Sequence, residues 1–182
     1  MNFPHILQPP AEQPGRTAPA RTVVVYDSLA SGVRGKGFCD QLVAHPDLRA
    51  ARRESLWHRD LLGAPGIGRA AARAALRAEF VVLALRGDED ISAGFEGWFR
   101  RWMPRARGRA ITLIALFDQA AARPLPMAHM RSSLGKAAGA AGLHFFACMA
   151  GPDGRPAAAR RQDDDAQTVE ARGAPLRWGP EW

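Results

Sequence analysis

Four short, almost unbroken apolar runs constrain this chain more than any other feature: TVVVY at 22–26, FVVLAL at 80–85, AITLIALF at 110–117 and HFFACMA at 144–150. Each is too short to span a bilayer and too continuous for a strand with one wet face, so each reads as a strand buried on both sides. The segments between them are long enough for helices, and such alternation closes as a parallel sheet with helices on both faces. Right-handed crossovers then favour a three-layer α/β doubly wound sheet of five mainly parallel strands, in the order 2-1-3-4-5. The ligand crevice of that sheet lies at the carboxyl ends of the strands, where the order reverses between the first and third.

The connections fill in this frame. After the first strand, residues 27–37 read as a polar, glycine-rich turn, leading into a helix over about 33–44 whose Phe38, Cys39, Leu42 and Val43 share a buried face. His45-Pro46 ends that helix, 49–54 is a charged connection, and 55–60 is predicted as a short edge strand around Leu56 and Trp57. Pro65 opens a second helix with Ile67, Ala71, Ala74, Ala75 and Ala78 inward and Arg69, Arg73 and Arg77 as a solvated stripe. Asp90 is placed to cap a third helix, in which Phe95, Trp98, Phe99, Trp102 and Met103 fall on one side. That side reads as core, with a partner surface as the alternative. Residues 118–126 read as a long loop, and Met127, Met130, Leu134 and Ala138 line a helix over 127–142.

At 182 residues and 47% hydrophobic content the chain has room for one well-cored domain, placed at 22–151. A proline-rich arm at 1–21 and a tail at 152–182 are expected to be disordered. The formal charge is +7, and among the 25 basic residues only Lys36 and Lys136 are lysine. Arginine richness alongside abundant alanine is what GC-rich coding produces, so it says little about partners. Arg100, Arg101, Arg105, Arg107 and Arg109 gather where a helix ends, a favourable place for cations in any case. With no accompanying motif, nucleic acid is not an expected partner. Cys39 and Cys148 read as small buried hydrophobes, and neither a secretory leader nor a membrane span is evident, so a soluble cytoplasmic protein is expected. The five histidines are scattered without metal-ligand spacing, and no GxSxG elbow exists, so Ser28 and Ser31 read as helix caps. Asp88, Glu89 and Asp90 read as loop acids and a cap, and no reaction is assigned.

Strand, glycine-rich turn and helix N-terminus together make a geometry suited to an anion, because unpaired amides and the positive end of the helix dipole face it. The turn Tyr26-Asp27-Ser28-Leu29-Ala30-Ser31-Gly32-Val33-Arg34 resembles the hydroxyl-rich phosphate loop of the flavodoxin family, although it is one residue longer and lacks the final threonine. Arg86-Gly87-Asp88-Glu89-Asp90-Ile91, with Phe95 and Phe99 behind it, resembles that family's Trp-Gly-Asp-Gly-Glu-Leu loop, with Arg86 standing where a flavin-stacking tryptophan is common. The resemblance covers roughly 22–151. It implies FMN as cofactor, bound through Ser28, Ser31, Gly32, Arg34, Arg86, Gly87 and Asp88. The expected function is a flavodoxin-like domain binding a small phosphate-containing or other anionic ligand, with electron transfer if that ligand is FMN. The alternative is a non-catalytic interaction or regulatory module, with a protein partner or a second copy and no membrane. Two other phosphate readings fail at specific residues. A P-loop would need glycine at Ala30 and a hydroxyl at Gly37. A response-regulator receiver would match Asp27, Asp88 and Asp118, but has lysine where this chain has Gly151 before Pro152.

Overall fold

The computed structural model describes residues 20–44 and 53–157, apart from the side chains of 43–44. His45-Pro46, the charged connection up to 52 and most of both terminal segments fall outside the described residues. Strands β1 (Arg21–Tyr26), β2 (Arg53–His58), β3 (Phe80–Leu85), β4 (Thr112–Asp118) and β5 (His144–Ala150) alternate with helices α1 (Leu29–Ala44), α2 (Pro65–Ala75), α3 (Ala93–Trp102) and α4 (Pro124–Ala141). Short 3-10 turns at Arg59–Gly63 and Met103–Ala106 follow β2 and α3. All strand pairs are parallel, and their order is β2-β1-β3-β4-β5, the flavodoxin-like arrangement.

The alternation of side chains along each strand divides the core in two. On one face, Phe38, Cys39 and Leu42 of α1 pack on Val24, Val82, Ile114 and Leu116. On the other, α2, α3 and α4 cover Val23, Val25, Val81, Leu83, Leu85, Leu113, Ala115 and Phe117. The aromatic side of α3 is core: Phe95, Trp98, Phe99, Trp102 and Met103 are all buried. No described helix is long and apolar enough to cross a membrane.

Four local expectations are corrected. Helix α1 starts at Leu29, so the turn after β1 is Asp27 and Ser28 alone, because Ser28 Oγ accepts from the Ser31 amide and caps the helix at once. Ser92, not Asp90, caps α3 by accepting from the Phe95 amide. The long loop after β4 is shorter, since Pro124 opens α4, where a missing N–H costs nothing. Ile67, expected inward, is exposed, and Ala72 lies inside instead.

The glycines of α1 serve close packing rather than a turn. A Cβ on Gly35 would lie 2.8 Å from Val24 Cγ1 and 3.0 Å from Ala84 Cβ, so the helix axis lies directly on β1 and β3. Gly37 does the same for the segment after β5, where a Cβ would lie 2.6 Å from the Asp153 carbonyl oxygen.

Two predictions follow from this packing. Gly35→Ala gains up to about 1 kcal/mol of helix propensity but forces a methyl group into central strands, at a cost of about 1–3 kcal/mol. Its urea midpoint should fall, whereas Gly139→Ala in α4, where a Cβ meets nothing within 4 Å, should raise it. A higher midpoint for Gly35→Ala would contradict the packing account. The second concerns Cys148, whose thiol burial pushes up to about 11 from 9.0. The folded state holds this proton more tightly than the unfolded chain, so the associated stability is intact below about 9 and is lost as pH rises to about 11. Urea midpoints of wild type and Cys148→Ala should therefore diverge over that window and run parallel below it.

Candidate functional site

The carboxyl ends of the strands bring Asp27 and Ser28 after β1, Arg59 after β2, the 86–90 loop after β3 and Asp118 of β4 to one edge of the sheet. Two hydrogen-bonded networks occupy that edge. In the first, Ser28 Oγ donates to Ser31 Oγ at 2.9 Å, and Arg34 Nη1 donates to the same Ser31 oxygen at 3.3 Å. Arg34 Nη2 forms an ion pair with Asp118 Oδ2, and Asp118 Oδ1 accepts from the Ala120 amide at 2.8 Å. Ser31 is fully buried and Arg34 is 2% exposed. Gly32, also buried, lies against the Tyr26 ring, whose atoms would stand 3.3 Å from a Cβ there.

In the second network, Asp27 Oδ2 accepts from the Arg86 amide at 2.7 Å, and Arg86 Nη2 pairs with Asp88 Oδ2 at 2.7 Å. Arg59 Nη2 donates to Glu89 Oε2 at 2.6 Å, with Asp60 Oδ1 3.6 Å from its Nε. Burial alone would lower the Arg59 pKa. The hydrogen bond to Glu89 and the charges of Asp27, Glu89 and Asp60 outweigh burial, and the pKa lies above its ordinary value. Gly87 adopts φ +78°, a left-handed conformation that glycine takes without strain. A Cβ there would press on Phe117 and Ala122, and the Gly87 carbonyl accepts from the Arg123 amide, tying the loops after β3 and β4 together. Asp27 Oδ1 and the Nε atoms of Arg34 and Arg59 are buried without a hydrogen-bond partner among the described residues.

The residues expected from sequence thus separate into two sets. Ser28, Ser31, Gly32 and Arg34 meet beside Asp118. Arg86, Gly87 and Asp88 meet beside Asp27, and Arg86 alone among the basic groups named here is half exposed, at 51% of its side chain. Sequence reasoning missed Arg59, which it placed within the edge strand, and read its partner Glu89 as a loop acid. The apolar content of β2 offered no signal that a buried arginine would follow it. Among the described residues no group of His, Cys, Asp and Glu is arranged to hold a metal ion.

No protein-family model and no curated protein sequence matches this chain. Among solved structures, the Trp repressor binding protein from Bacillus subtilis is similar at 13% identity and TM-score 0.45, over 82% of this chain and 93% of that one. A flavodoxin from Streptococcus pneumonia TIGR4 is similar at 9% identity and TM-score 0.45, over 70% of this chain and 83% of that one.

The Arg34–Asp118 pair sets a stability prediction. Its side chains are 3% and 19% exposed, so Asp118→Ala strands a buried guanidinium and should cost about 3–5 kcal/mol in urea unfolding. The double variant Arg34→Met, Asp118→Leu removes both charges and should lose clearly less than the single one. Equal losses would mean that the two charges are not coupled.

Proposed function

We propose that this chain is a flavodoxin-like scaffold acting as a non-catalytic interaction module, with its crevice closed by its own side chains. The observation that carries this reading is the pairing of Arg34 with Asp118, Arg59 with Glu89 and Arg86 with Asp88. Each of these three guanidiniums already has a carboxylate, and Asp27 adds a further negative charge at the same edge. The residues present also fit a flavin poorly. An isoalloxazine ring needs a flat apolar or aromatic bed, and the loops after β3 and β4 supply Arg86 and no Tyr or Trp. For the phosphate, Ser31 is buried and spent on Ser28 and Arg34.

A second reading keeps a small anion at this edge. It is favoured by the N-terminus of α1 standing at the switch point, with Leu29 81% exposed and Arg86 reaching solvent. An anion would there displace Asp88 from Arg86 and contact Ser28 and Gly87, while Ser31, Gly32 and Arg34 support the turn.

Thermal melts with FMN and with inorganic phosphate separate the two readings. A ligand at a hundredfold excess over its Kd adds about 2.7 kcal/mol to native stability, enough to move Tm by several degrees. The interaction-module reading expects colourless protein and no shift with either compound that depends on Ser31, Arg34 or Arg86. A flavin absorbance band, or a shift lost in Ser31→Ala, Arg34→Ala or Arg86→Ala, would overturn it in favour of the crevice.

A further inference from the structure

The two arginine stripes that lie apart in the sequence meet in one groove. Arg69 and Arg73 of α2 face Arg101 of α3 and Arg105 of the turn after it, across a floor of Ala72 and Leu76, enclosing about 440 Å³. Arg101 lies across α2 at Gly68, where a Cβ would come within 2.6 Å of its Nη1. Arg109 closes the Leu76 end by donating to that residue's carbonyl at 3.1 Å.

Arg34, Arg59 and Arg86 are each paired, whereas none of the four groove arginines has an acidic partner among the described residues. Arg105 finds only the Arg101 carbonyl, at 3.1 Å. Four guanidiniums around one cleft, without carboxylate partners among the described residues, raise the local potential and attract a negatively charged partner. Arg69 and Arg73 of α2 stand four residues apart, about 6 Å of helix rise, so the groove presents its cations at more than one point. Guanidinium geometry suits phosphate oxygens in bidentate pairs. The lining offers no aromatic ring for stacking and no side-chain amide to read a base edge.

We propose that this groove binds the phosphate backbone of single-stranded nucleic acid without sequence preference. The proposal deepens the interaction-module reading and rests on it. Each stripe alone is a solvated helix face or helix end, and only the fold brings the two together.

The test is fluorescence anisotropy of the full chain with a labelled oligothymidine of about 15 nucleotides, between about 50 and 200 mM salt. Four phosphate contacts predict a log K against log salt slope of about −3. Arg73→Ala, Arg105→Ala together should reduce that slope by about 1.4 and weaken binding about 20-fold at 0.1 M salt, while the protein stays folded at the assay temperature. Arg131→Ala, Lys136→Ala removes the same charge from the exposed side of α4 and should leave the slope unaltered. Equal weakening by both pairs would reduce the effect to net charge and overturn the groove. Absence of binding at the lowest salt would overturn it too, as would tighter binding of a polyglutamate peptide with the same variant dependence, which points to an acidic protein. FMN binding with intact oligonucleotide binding would overturn only the reading of the crevice.

Discussion

The guanidinium of Arg34 is the constraint around which the front of this molecule is built. It sits on the second turn of α1, almost without contact with solvent, facing Asp118 at the end of β4. Removing such a group from water costs several kcal/mol, so it persists only where a carboxylate and further acceptors surround it. Asp118 and Ser31 provide these, and Ser31 is in turn fixed by Ser28. The whole first part of α1 is thereby committed to the interior. Ser28 has to cap early, Gly32 has to pass under Tyr26, and Gly35 has to lie on Val24 and Ala84. A segment used this way is helix from Leu29 onward rather than an open glycine-rich turn.

This explains why the sheet was legible in the sequence and the use of residues 27–37 was not. Continuous apolar runs have few other uses in a chain of this size, and β3 and β5 occur where the composition placed them. The edge position of β2 follows from its half-polar content, since it pairs with β1 alone. Residues 27–37 were ambiguous at the level of physics. Glycine is used both where φ is positive and where another atom comes close, and no local pattern separates the two. In α1 the second use holds, while positive φ appears at Gly87, Gly108, Gly142 and Gly154. Two of the three ion pairs at the crevice join residues 30 and 84 positions apart, so helical or strand periodicity carries no trace of them.

The aromatic face of α3 was readable in outcome though not in detail. Phe95 and Trp98 stack at 6.0 Å with planes 3° apart, and Trp98 and Trp102 lie 5.4 Å apart, tilted. The indole N–H groups of both tryptophans are buried without hydrogen-bond partners among the described residues. Each orphaned donor costs about 1–3 kcal/mol, which burial of two large rings offsets only because the rings are wholly enclosed. The opposite side of the same helix is thereby left as the one that meets solvent, and its arginines stand there.

Charge is distributed accordingly. A count of arginines against carboxylates gives a single net figure, but the fold assigns the carboxylates unequally: those near the crevice neutralise arginines locally, and α2 contributes none. Four like charges along one groove would ordinarily destabilise the isolated domain. Arg73 is in the last turn of α2, and Arg101 is in the last turn of α3, with Arg105 just beyond it. The negative ends of both helix dipoles and exposed carbonyls such as that of Arg101 therefore lie beneath the guanidiniums, each such contact worth about 0.3–1 kcal/mol. These backbone dipoles do part of the work that acidic side chains do at the crevice. They lack the capacity to occupy the guanidinium forks as carboxylates do, and so among the described residues the groove arginines keep their forks free of carboxylates while the crevice arginines do not.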